Sequence, residues 1–125
     1  MEQKNQLRED TLDFAITVSD MCDKINGCSV YKNQLIRSSS SIGANIFEAR
    51  YAQSNADFIS KLEIALKECY ETEYWLELLH RKNAVSCEQY QKIISQCGSI
   101  RRRLIASIKT MKAKNNIHSK EVVWP

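Results

Sequence analysis

"LIRSSSSIGANIFEARYA", Leu35 to Ala52, decides how the rest of the chain is read. Its apolar residues Leu35, Ile42, Ile46 and Ala49 keep helical spacing, and Ser38 or Ser39 completes one face. Yet four serines run in succession, followed by a glycine and an asparagine, which are middling to poor helix formers. A phosphate loop would need G-x-x-x-x-G-K-[ST], and the unbroken apolar spacing opposes one. A serine nucleophile would need an elbow such as G-x-S-x-G and a base held nearby, and neither is evident. "SIGANIFEA" resembles a helix-turn-helix recognition element, but the long flanking repeats oppose a compact trihelical unit. The remaining reading is close helix approach. Small residues leave room for a neighbouring helix or subunit, and serine hydroxyls can bond back to the carbonyl one turn earlier. Asn45, beside Ile42 and Ile46, then reads as a half-buried polar residue that fixes register.

Working outward, three more helical patterns appear. Leu7, Thr11, Phe14, Val18, Met21 and Ile25 repeat at steps of three and four, which predicts a helix from about Lys4 to Ile25. Asn26-Gly27 stops it, and the second helix runs from about Val30 to Ala52. Ser54 can cap the third, with Asp57 completing a variant capping box. Its stripe is Phe58, Leu62, Ala65, Cys69, Thr72, Leu76 and Leu79, the strongest periodic pattern in the chain. "RKNAVS" reads as a loop. Ser86 and Gln89 form another capping pattern before Tyr90, Ile93, Cys97, Ile100, Leu104, Ile108 and Met111. Three glycines and one proline in 125 residues leave little material for turns. The fold class expected is all-α, an antiparallel up-down-up-down four-helix bundle over residues 1–114. Residues 115–125 form a tail whose Trp124 packs on the body or on a partner.

Charge fits that topology. Residues 1–25, which contain the first predicted helix, hold six acids and three bases, and the third helix holds six acids and four bases. The second holds one acid and three bases, and the fourth one acid and seven bases. With one and three on one diagonal, two and four on the other, each acidic helix touches basic ones on both sides. Complementary charge helps select the arrangement, although each exposed pair is worth only about 0–1 kcal/mol.

Several function classes recede. No apolar run approaches the roughly 20 residues that span a bilayer. "MEQKNQLRED" is polar and acidic, unlike a signal peptide, so a cytoplasmic protein without membrane association is expected. Of the five cysteines, Cys22, Cys69 and Cys97 fall on apolar stripes and read as small core residues. Cys28 and Cys87 form no C-x-x-C with them, and His80 and His118 lack companions at metal spacing. Neither metal nor cofactor is expected, and no nucleophile–base set is visible. A basic face is visible: Arg101, Arg102, Arg103, Lys109 and Lys112 lie on the fourth helix. Arg102 and Lys109 share its outward side, with Arg103 at the edge. Such a face attracts RNA or DNA through phosphates without base specificity.

The segment "NQLIRSSSSIGANIFEARYAQSNADF" is similar to one found in the 23S rRNA-intervening-sequence proteins, "Q-L-R-R-A-x-x-S-I-x-x-N-I-A-E-G" before a "S-P-x-D-F" helix start. Gln34, Arg37, Ser41, Ile42, Asn45, Ile46 and Glu48 match. In the next helix Ala65, Glu71, Glu73 and Leu76 match "A-x-x-x-x-x-E-x-E-x-x-L". Ala49 stands for the family's glycine and Asn55 for its proline, and neither change harms a helix. The resemblance implies a non-enzymatic bundle that assembles into a homopentameric ring and whose cellular role is largely unknown. It also implies kinship with accessory proteins of diversity-generating retroelements, which bind a reverse transcriptase and nucleic acid. Asn45, Glu48, Glu71 and Glu73 are then expected to serve the bundle, pairing across helices with Arg37 or Arg50.

Overall fold

In a computed structural model, which describes residues 2–115, the chain forms four α-helices: α1 (Glu2–Asp23), α2 (Ser29–Ala49), α3 (Asn55–Arg81) and α4 (Cys87–Asn115). No helix among the described residues is long and apolar enough to cross a membrane. The expected tail, with Trp124, lies outside the described residues apart from Asn115, which closes α4. Among the described residues, helix contacts run α1 to α2, α2 to α3, α3 to α4 and α4 back to α1, with none across either diagonal. That is the cyclic order of an up-down-up-down bundle. The thinnest seam joins α1 to α4, and α3 makes the two most extensive interfaces.

Each helix begins and ends for local reasons. Ser54 has extended backbone, and its Oγ accepts from the Asp57 N–H at 3.0 Å. Asp57 Oδ2 in turn accepts from the Gln53 N–H at 3.2 Å, so the box closes one residue earlier than its usual form. Ser86 Oγ accepts from the Gln89 N–H at 3.1 Å and starts α4. Gly27 and Cys28 both take left-handed backbone (φ 78° and 57°), which reverses the chain after α1 two residues sooner than the apolar pattern suggested. α2 also stops short, at Ala49. Beyond it the N–H groups of Arg50, Tyr51 and Ala52 bond three residues back instead of four, tightening the last turn. After α3, Asn83 adopts φ 63°. The Asn83 N–H donates to the His80 carbonyl and the Ala84 N–H to the Leu79 carbonyl, each at 3.0 Å. This is a Schellman closure with asparagine in the left-handed position. Val85 then drops into the core.

The core is the sum of the four stripes. Phe14, Val18, Leu35, Ile42, Leu62, Leu76, Leu79, Ile93, Leu104 and Ile108 are all buried. Phe58 and Tyr90, expected inside, are half-buried at its margin, and Leu66 and Val85 join it without having been expected. Packing within the chain explains the first half of the serine run. Ser38 and Ser39 are fully buried. Their hydroxyls donate to the Leu35 and Ile36 carbonyls at 3.3 and 3.2 Å, and Ser40 donates to the Ile36 carbonyl at 2.8 Å. Thr72 Oγ1 donates to Ser38 Oγ at 3.0 Å, a buried bond from α3 to α2. On the opposite flank Gly43 faces Thr11: a methyl group placed there would lie 3.1 Å from Thr11 Oγ1 and 3.3 Å from its Cβ. α2 therefore needs small residues on both sides.

Candidate functional site

The polar residues of the matched motif line the seams between helices. Arg37 on α2 pairs with Glu71 on α3 and reaches Glu68 at 3.4 Å. The Trp75 indole N–H also donates to Glu71, at 3.0 Å. That bond, followed by the Arg37 guanidinium, holds the Glu71 carboxyl below the usual carboxylate range. Pairing with Glu71 raises Arg37 in return. Glu73 pairs with Arg101 at 2.8 Å across α3 and α4, and this bond raises the arginine. Glu48 pairs with Lys61 at 3.1 Å. Only Glu71 thus meets one of the two arginines expected. Arg50 is exposed and joins none of these pairs. Asn45 donates to the Ser41 carbonyl of its own helix at 2.8 Å, so its recorded bond stays within α2.

The basic residues of α4 divide into two groups. Arg101 is tied to Glu73 and lies over the Tyr70 ring, 5.7 Å from its centre. Arg103 reaches Asp10 of α1 at 2.9 Å, and Lys112 reaches Glu63 of α3 at 2.9 Å. These three bridge α4 to its acidic neighbours. Arg102 and Lys109 are exposed and take part in no ion pair among the described residues. Seven positions apart, they sit two turns from each other on the outward side.

A second apolar pattern emerges on the outside of the bundle. Leu12 and Ile16 on α1 are 46% and 57% exposed, Phe47 on α2 is 42% exposed, and Tyr51, just beyond α2, is 71% exposed. Ile36, also exposed, stands three turns before Phe47 on the same side of α2, with exposed Ser40 and half-buried Gly43 between them, and the two apolar residues form its ridge. Arg8, one turn before Leu12, lies over the Phe47 ring at 5.5 Å, so the α1 and α2 ridges run side by side. Tyr70 and Tyr74, one turn apart, form a separate exposed group on α3, while Ile64, also exposed, lies on another side of that helix. The sequence carried this signal, since Leu12 and Ile16, Ile36 and Phe47, and Tyr70 and Tyr74 stand at helical spacing, but the stronger core stripes masked it. A shallow groove of about 260 Å³ follows the α1–α4 seam, lined by Asp10, Asp13, Phe14, Thr17, Ile100 and Arg103. It holds no converging set of catalytic groups.

Among the described residues no group of three or more His, Cys, Asp or Glu side chains could hold a metal ion. All five cysteines are free. Burial pushes the Cys22 thiol up to about 11. The Cys97 thiol is also held up, by the Cys69 thiol first and by burial second. One thiol–imidazole pair does exist, His80 with Cys87, which sequence spacing did not reveal.

A family model described as "23S rRNA-intervening sequence protein" matches residues 3–106. The chain belongs to that family. It is also similar to a solved structure from Bacteroides thetaiotaomicron, a protein of unknown function from the S23 ribosomal protein family. The two are 45% identical, with a TM-score of 0.81 over 85% of this chain and 97% of that one. None of the curated proteins matches. The motif residues that carried the resemblance are therefore those of an intervening-sequence protein, and in this member Arg37, Glu48, Glu71 and Glu73 hold helix to helix.

Proposed function

We propose that this protein works without catalysis, in the cytoplasm, by associating with copies of itself and then with a partner protein. The observation that carries the reading is the paired ridge of Leu12, Ile16, Ile36 and Phe47. Apolar side chains of that size at helical spacing are costly to leave in water, and contiguous exposed patches mark association surfaces. The second group, Tyr70 and Tyr74, lies on a different helix. Two unlike patches favour head-to-tail contact, which closes into a ring when the rotation fits. Family resemblance makes that ring a homopentamer. Light scattering at micromolar concentration should give a multiple of the 14.4 kDa chain mass, with five copies expected. Phe47→Glu should lower the mass while circular dichroism stays helical. A wild-type mass of one chain would sink the proposal.

A second reading has one observation in its favour, the unpaired Arg102 and Lys109. Contacts from these side chains would meet phosphates of RNA or DNA, including in an accessory role beside a reverse transcriptase. Such binding weakens steeply with salt because counterions are released. An anisotropy titration with mixed-sequence RNA at about 50 mM salt, where phosphate binding is strong, provides the test. The double variant Arg102→Gln, Lys109→Gln should lose most of the binding. Equal binding by both proteins would remove the patch from consideration.

A further inference from the structure

The α3–α4 connection carries chemistry that the bundle does not need. The Schellman closure at Asn83 and the inward turn at Val85 fold the last turn of α3 against the first turn of α4. His80 Nε2 comes to 3.3 Å from Cys87 Sγ. The imidazole is held in place by stacking on Tyr90, with ring centres 4.2 Å apart and planes 7° from parallel. Cys87 is exposed, and it is the first residue of a 29-residue helix. The unbonded N–H groups and dipole of a helix start favour negative charge. A thiol, a base in contact with it and solvent access are thus combined at one point, the arrangement that activates cysteine nucleophiles.

We propose that Cys87 is a modification site, a His80-assisted thiol that exchanges with low-molecular-weight disulfides. His80 Nε2 accepts the thiol proton as the Cys87 sulfur attacks one sulfur of the incoming disulfide. The S–S bond of that disulfide breaks as the new one forms. The departing thiolate takes the proton from His80, leaving a mixed disulfide on Cys87 and one free small thiol. The incoming disulfide is itself the oxidant, so no other is required.

Cys28 is the internal control. It also stands at a helix start, as the N-cap of α2, and it is half-buried, but no imidazole partner is recorded for it among the described residues. Cys22, Cys69 and Cys97 are buried.

The test treats the full chain with oxidised glutathione at neutral pH and follows each cysteine by peptide mass spectrometry. Cys87 should take up glutathione on the order of a hundredfold faster than Cys28, the low end of what a positioned base contributes. The three buried cysteines should react only after denaturation. His80→Gln should slow Cys87 by a similar factor and leave Cys28 unchanged. His80→Phe, which keeps an aromatic ring on Tyr90 without a base, should behave like His80→Gln. Wild-type Cys28 keeping pace with Cys87 would overturn the proposal. So would a His80→Phe protein that retains its helical signal and the wild-type rate at Cys87.

Discussion

Leu76→Ala should lower the unfolding free energy by about 2–5 kcal/mol, the range for a large side chain removed from a rigid core. Leu76 lies on α3, the helix with the most extensive contacts on both sides, and it has no exposed surface. Its loss removes apolar burial and leaves a cavity. The cavity cannot close easily, because α2 and α4 are tied to α3 about one turn before Leu76 by Arg37–Glu71, Ser38–Thr72 and Glu73–Arg101. Urea unfolding reads the effect directly. With slopes of about 1–3 kcal/mol per molar for small proteins, the midpoint should fall by roughly 1–3 M while the slope stays constant. Association stabilises a folded chain by mass action, so variant and wild type are compared at one protein concentration. An unchanged midpoint would mean that the inward face of α3 is misassigned.

The four inward faces were legible because burial follows a period that the sequence prints. Leu62, Ala65, Cys69, Thr72, Leu76 and Leu79 repeat at steps of three and four, and all are buried. The caps at Ser54 and Ser86 were legible for a similar reason, since a capping hydroxyl acts within four residues. Partners across helices were not. Whether Arg37 meets Glu71 or Glu73 depends on how far α3 slides along α2, and no local pattern encodes that offset. Asn83 could not be read as a Schellman residue until the chain was seen to reverse there, and the same reversal brings His80 to Cys87. The exposed ridge through Ile36 and Phe47 was hidden by a different effect. Two stripes on one helix overlap in period, and the more apolar one claims the face.

The serine–glycine stretch yields the sharpest test of close packing, through a comparison of two glycines. Both Gly43 and Gly98 lie inside helices, where glycine costs about 0.8–1.0 kcal/mol relative to alanine. On propensity alone, alanine should stabilise both. Their surroundings differ. A methyl group at Gly98 would meet Arg102 Nη1 at 3.2 Å, and Arg101 Nη2 at 3.5 Å. These are the ends of long side chains, and Arg102 can swing outward into water. Gly98→Ala should therefore stabilise by up to about 1 kcal/mol. At Gly43 the nearest atoms are Thr11 Oγ1 and Cβ, beside the α1 backbone, with the Thr11 carbonyl carbon at 3.7 Å. Thr11 is fully buried and its hydroxyl donates to the Arg8 carbonyl at 2.9 Å, so it has nowhere to turn. Relief must come from moving α1 as a body. Gly43→Ala should come out near zero, the propensity gain offset by that shift. Gly43→Leu should destabilise by about 1–3 kcal/mol, the usual cost of overpacking. Thermal melts of the three variants give the ranking at once. If Gly43→Ala and Gly43→Leu both stabilise as much as Gly98→Ala, then α1 and α2 do not approach closely at Thr11. The reason for a glycine in the middle of α2 would then have to be sought elsewhere.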